Sequence, residues 1–126
     1  MKQPFEDLGK RLLIFAIRNL KIAEGINNSF AGQHLKNQLI RSGTSPAMNY
    51  AEARYAESRK DFIHKIKIVL KELHETQVCL NIILNTNYYR GKYDLRSSLK
   101  ECDELLAIFT ASVNTAQKSL TADNRK

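Results

Sequence analysis

The sequence predicts an all-α protein, an antiparallel up-down-up-down four-helix bundle. Three observations carry this. Four long stretches repeat apolar residues at steps of three and four, the spacing of one helix face. Only two prolines and five glycines occur in 126 residues, which leaves room for long helices. The breaks between stretches are short and hold Gly, Asn, Ser and Thr, as in a bundle with short loops. Residues 1–126 read as one domain, with helices expected at about 5–24, 29–55, 58–86 and 94–120.

The first helix has Pro4 at its start and Gly25 as a C-cap. Leu8, Leu12, Phe15, Ala16, Asn19 and Ala23 form one face. Leu13, Ile17 and Leu20 widen it beyond one stripe, so this helix is expected to contact more than one neighbour. Lys10, Arg11, Arg18 and Lys21 gather on the other side. Asn28 or Ser29 can cap the second helix by accepting its free N–H groups. That helix carries Phe30, Leu35, Leu39, Ala47 and Tyr50, with Gln38, Arg41, Ser42, Ser45 and Asn49 among them. Pro46 lies inside the pattern. It lacks an N–H and crowds the preceding turn, so a kink is expected near Ser42 to Pro46.

Ser58 followed by Asp61 resembles a capping box for the third helix, with Asp in place of Glu. Phe62, Ile63, Ile66, Val69, Leu70, Leu73, Gln77, Leu80, Ile83 and Leu84 make its face. Ile68, Val78 and Ile82 lie off that face and point to a subunit interface. Asn85 to Gly91 is a turn. The fourth helix keeps a near-perfect three-four alternation through Leu95, Leu99, Cys102, Leu106, Phe109, Val113, Ala116 and Leu120. That is the seam of near-parallel helices. The polar tail from Thr121 to Lys126 is expected to fray.

Net charge is +7, an excess that favours polyanions and serves solubility equally well. Cys79 and Cys102 fall inside apolar helical patterns. Two cysteines make no disulfide framework, so they read as reduced core residues of a cytoplasmic protein. The N-terminal Met-Lys-Gln-Pro-Phe-Glu-Asp has no signal-peptide apolar core. No apolar run reaches the ~18 residues of a membrane span.

Two constellations stand out. Arg41, Ser45, Asn49 and Glu52 step by four, four and three along one face, and Glu72 and Glu75 can oppose them from the third helix. They read first as a buried or half-buried polar network that fixes helix register. Lys60, His64, Lys67, Lys71 and His74 form a basic row along the third helix, flanked by Arg59 and Lys65. Such a row can follow a phosphate backbone. It is also what a solvated helix face looks like, and Asp61, Glu72 and Glu75 weaken its field. No aromatic platform is interleaved with the row. Tyr88, Tyr89 and Tyr93, with Arg90 and Lys92, suit packing at the bundle end better than base stacking. Arg11 and Arg18 extend the list of candidate nucleic-acid contacts.

Enzyme chemistry finds little. Di-iron bundles need paired Glu-x-x-His units on two helices, and here one Asp61-x-x-His64 stands without a partner. His-Glu-x-x-His, a P-loop and G-x-G-x-x-G are missing. Cys79, Cys102, His34, His64 and His74 lack metal-ligand spacing. No catalytic residue, metal or cofactor is expected.

From Gln38 to Ile83 the chain resembles a known family. The residues are Gln38-Leu39-x-Arg41-Ser42-Gly43-Thr44-Ser45, Asn49, Glu52-Ala53, Ala56-Glu57-Ser58, Asp61-Phe62-Ile63-His64-Lys65 and Lys71-Glu72. They are similar to the bacterial four-helix bundle proteins encoded in intervening sequences of 23S ribosomal RNA genes. The accessory variability determinants of diversity-generating retroelements look like distant relatives. The resemblance implies a four-helix protomer, a homopentamer and no catalytic residues. Its retroelement branch implies RNA and a reverse transcriptase as partners. Two positions depart from the pattern: Pro46 stands where Ile is usual, and Ile40 where many members have a second Arg. The expected function is therefore a non-catalytic oligomeric bundle that binds structured RNA through a basic surface. The alternative is a protein-interaction scaffold or adaptor without nucleic acid.

Overall fold

The computed structural model describes residues 4–124, with side chains from 8 to 122. Residues 1–3, part of the stretch expected to lack a leader's apolar core, and 125–126 of the polar tail lie outside the described residues. Within them are four helices: α1 Pro4–Glu24, α2 Phe30–Ala53, α3 Arg59–Leu84 and α4 Leu95–Asn124. Each packs on the next, α1 touches α4 lightly, and α1 and α3 lie diagonally opposed. Contacts run in opposite order across neighbours. Gly9 lies against Tyr50 while Asn19 reaches Gly43. Glu52 meets Lys65 while Arg41 meets Glu72, and Arg11 meets Glu101 while Arg18 reaches Ser97.

The helix starts follow the capping residues. Ser29 Oγ accepts from Gly32 N at 3.0 Å, and Ser58 Oγ accepts from Asp61 N at 3.0 Å. Phe30, expected on the inner face of α2, is instead 97% exposed. It holds the first helical position, where the Cα–Cβ bond tilts back off the helix end. Pro46, the site of the expected kink, is buried inside α2, and helix continues on both sides of it. Nearby side chains bond back to carbonyls of their own helix: Ser42 Oγ to Gln38 O, Thr44 Oγ1 to Ile40 O, Asn49 Nδ2 to Ser45 O. The tail expected to fray after Leu120 is helical to Asn124. Leu120 packs against the core and Thr121 Oγ1 donates to Gln117 O at 3.0 Å. No Gly or Pro follows to stop the helix.

Two apolar clusters fill the bundle. One holds Leu12, Phe15, Tyr50, Ile63, Ile66, Val69, Leu73, Cys102, Leu105, Phe109 and Val113, with Tyr50 edge-on to Phe109 at 5.4 Å. The other holds Ile22, Ala23, Ile26, Leu35, Leu39, Cys79, Leu80, Ile83 and Leu95. Between them in sequence, each helix contributes one buried polar side chain: Asn19, Ser42, Thr76 and Ser98. Ser42 and Thr76 satisfy their hydroxyls on carbonyls of their own helices. Asn19 Nδ2 donates to Gly43 O at 3.3 Å. Asn19 Oδ1 and Ser98 Oγ are buried without a hydrogen bond.

Both cysteines are buried free thiols, in opposite clusters. Cys79 Sγ donates to Leu35 O at 3.7 Å and Cys102 Sγ to Leu73 O at 3.3 Å. Burial pushes their thiols up to about 11 and about 12. At the far end an isolated antiparallel bridge joins Ile26 to Tyr89. The Tyr89 ring fills the space beside Gly25 and Gly91, where a Cβ would collide with it. The tyrosine cluster thus packs the bundle end.

A Cβ on Gly43 would stand 2.6–2.9 Å from the Asn19 side chain, including its Cβ. Gly43→Ala should therefore destabilise by about 1–2 kcal/mol, because overpacking outweighs the gain in helix propensity. Gly9 has ordinary room, with Tyr50 at 3.6 Å. Gly9→Ala should be neutral or stabilising by up to about 1 kcal/mol. Thermal denaturation of the two variants checks the contrast.

Candidate nucleic-acid interface

The α3 row is set by helix geometry. Lys60, His64, Lys67, Lys71 and His74 step around one face, because apolar Ile63, Ile66, Val69 and Leu73 hold the opposite face in the core. All five side chains are exposed. The row spans ~21 Å at 1.5 Å per residue. Flanking Lys65 is drawn aside, its Nζ donating to Glu52 Oε2 at 2.9 Å. That hydrogen bond raises the Lys65 value.

Arg11 and Arg18 are not brought to this row. They lie on the α1–α4 seam. Arg11 is clamped by Glu101 and, at 3.1 Å, by Glu104. Hydrogen bonding to Glu101 is the main reason its guanidinium is held above its ordinary value. Arg18 Nη1 reaches Ser97 Oγ at 3.5 Å.

The residues expected to form one polar network form three separate pieces. Arg41 donates to Glu72 at 2.9 Å, to Glu75 and to Gln38 at 3.1 Å. Asn49 Nδ2 donates to Ser45 Oγ at 2.8 Å within α2. Glu52 pairs with Lys65. The Arg41 cluster is only half-buried: its side chain is 53% exposed, that of Glu72 only 10%. Desolvation, then the nearby charge of Glu75, raises Glu72 above the usual carboxylate range. Glu75 is lowered, chiefly by its hydrogen bond from Arg41. Beside this cluster, α2 and α3 border a groove of about 450 Å³, with Leu35, Val78 and Ile82 among its walls and His34 and His74 at its edge. Among the described residues, no group of three His, Cys, Asp or Glu could hold a metal ion. Among the described residues, no helix is long and apolar enough to cross a membrane.

Residues 11–111 match the family described as 23S rRNA-intervening sequence protein. The chain belongs to that family. The resemblance read from Gln38 to Ile83 therefore holds over most of the chain. A crystal structure of a protein of unknown function from the S23 ribosomal protein family of Bacteroides thetaiotaomicron is similar, with a TM-score of 0.78 at 28% identity. The match covers 89% of this chain and 99% of that one. No curated protein matches the sequence. In this member of the 23S rRNA-intervening sequence family, α1 also exposes Leu13, Ile14, Ile17 and Leu20, and Met48 and Tyr55 are exposed on and just after α2. The spacing of Leu13, Ile17 and Leu20 was legible. Ile14 falls outside that stripe, and Tyr55 carries no pattern that separates an exposed turn aromatic from a packed one.

Arg41→Ala strands two adjacent carboxylates, one of them largely buried. It should lower stability by about 1–2 kcal/mol at neutral pH, between surface-pair and buried-pair costs, which is several degrees in Tm. The sign with pH follows from the two shifts. The lowered Glu75 contributes stability above the ordinary glutamate range and loses it as pH falls. The raised Glu72 costs stability when ionised and stops doing so as pH falls. The variant's deficit should therefore shrink towards about pH 4. Melting curves at both pH values check this, and an unchanged Tm at neutral pH would sink the structural role of Arg41.

Proposed function

We propose that this protein is a non-catalytic, homo-oligomeric helical scaffold that binds structured RNA along the exposed face of α3. The observation that carries the reading is the row itself. Five basic or titratable side chains are exposed on one uninterrupted helix. Among the described residues, Lys60, Lys67 and Lys71 are not hydrogen-bonded to a carboxylate. Arg11, Arg41 and Lys65 each are. The row thus lines up three of the chain's cations that carry no carboxylate hydrogen bond, on a chain of net charge +7. Its natural ligand is a phosphate backbone, read by charge and shape.

Self-association is part of the proposal. Leu13, Ile17 and Leu20 leave an apolar strip on α1 with exposed Ile14 to one side, and Val78 and Ile82 leave another beside the α2–α3 groove. Strips of this kind on a small domain are contact surfaces. A closed ring of identical chains covers the same patch on each copy and repeats the basic row around itself. The same strips support the second reading, a protein scaffold or adaptor with no RNA.

Binding should be weak in sequence preference and steep in salt. With three lysines on phosphates, affinity for a duplex should fall at least about 40-fold between 50 and 200 mM salt. Lys60→Glu, Lys67→Glu and Lys71→Glu together should abolish it with helicity intact. A triple variant that binds as well as the parent makes the row a solvated face.

Light scattering at micromolar concentration should give several times the 14.4 kDa of one chain, and five times by the family resemblance. A monomer mass removes both the ring and the scaffold reading of the apolar strips.

A further inference from the structure

Tyr55 is 86% exposed, in the short connection between α2 and α3. Its backbone N–H donates to Glu52 O at 3.1 Å, while its ring belongs to neither core cluster. An amphipathic ring of this size is normally used for burial or for contact. Cations outnumber carboxylates near it in sequence: Arg54 precedes it, Glu57 follows, and Arg59 and Lys60 open α3. Arg54, Glu57 and Arg59 border a shallow depression with half-buried Phe62 on its wall; the Tyr55 ring does not line it, so a base stacked on Tyr55 lies outside it. Lys60 is also the first member of the α3 row, so an aromatic stands where the row of cations begins. Phe30 is as exposed, but it stands at the start of α2, away from the α3 row, and the nearby Lys36 ammonium is engaged by Asn28 Oδ1 at 2.6 Å.

We propose that Tyr55 is a stacking platform for an unpaired base of the RNA bound along α3, with Arg54 and Lys60 on the flanking phosphates. This rests on the RNA reading and narrows its ligand. Every base has a π-face, so stacking tolerates any sequence. A base inside an intact helix has both faces covered and cannot stack on a side chain. The favoured ligand therefore has a loop or a free end at this corner and is not an unbroken duplex.

The chain contains no tryptophan, so Tyr55→Trp introduces a single indole reporter. The probes are a labelled oligouridylate of about twelve nucleotides, within the usual single-strand site sizes, and a blunt RNA duplex of equal length. The single strand should quench the indole over the same concentrations at which its anisotropy rises. The duplex should bind without quenching. Tyr55→Ala should weaken the single strand about tenfold and leave the duplex within about twofold. If the single strand binds without quenching the indole and Tyr55→Ala changes nothing, the platform is overturned while the RNA reading stands. If neither RNA binds the parent protein at low salt, the RNA reading falls, and the platform with it.

Discussion

The bundle depends on one close approach, Asn19 of α1 on the backbone of Gly43 in α2. An amide in the middle of the core costs free energy. Here one hydrogen bond at 3.3 Å offsets part of it, and Asn19 Oδ1 goes without. A buried polar atom left unpaired costs about 1–3 kcal/mol. What the pair fixes is register. A slip of one turn, ~5.4 Å, would carry Asn19 from Gly43 onto Leu39 or Ala47, where a side chain fills the space and an apolar surface meets the amide. Two apolar clusters lie on either side of this level, and the polar positions of all four helices gather between them. The α3 row and the apolar strips take their positions from that alignment.

Much of this was legible from spacing alone. Leu12, Phe15, Ile66, Leu73, Cys102 and Phe109 are buried where the three-four pattern puts them, because a helix in a bundle has one inner face and the pattern names it. Ser29 and Ser58 mark their helix starts, since a short side-chain oxygen is what a free N–H needs. The failures have local causes. Phe30 is apolar but sits too early in its helix to reach the core. The α4 tail is polar yet helical to Asn124, because Leu120 is anchored and no Gly or Pro lies between it and Asn124. Thr76 and Ser98 are fully buried, yet the apolar pattern passed over them. Their spacing, three after Leu73 and Leu95, would have found them had small polar residues been admitted to the face. The Arg41 network was read as one unit because periodicity gives the face of a residue and not its reach. Arg41 extends to α3, whereas Asn49 turns back to its own helix.

Charge is divided among the faces more sharply than the net value suggests. Glu101 and Glu104 of α4 answer Arg11 on the α1–α4 seam, and Glu72 and Glu75 of α3 answer Arg41 at the α2–α3 groove. Lys60, Lys67 and Lys71 form no hydrogen bond to a carboxylate among the described residues, although Glu75 feels the charge of Lys71. The apolar strips follow the same logic of unequal sides. A domain of this size that leaves Leu13, Ile14, Ile17 and Leu20 in water has surface to spare for a partner.

The placement of the two thiols has a practical side. Cys102 belongs to the cluster around Phe15 and Phe109, and Cys79 to the one around Leu39 and Leu80. Cys102 is sealed from solvent, Cys79 is buried at the floor of the α2–α3 groove, and both are held well above the usual thiol range, so neither reacts readily while its surroundings stay closed. Alkylation therefore waits for an opening fluctuation, and each cysteine times the opening of its own end. Nature has left in the chain a pair of stopwatches, one per half, that can tell whether the bundle unzips from an end or comes apart at once.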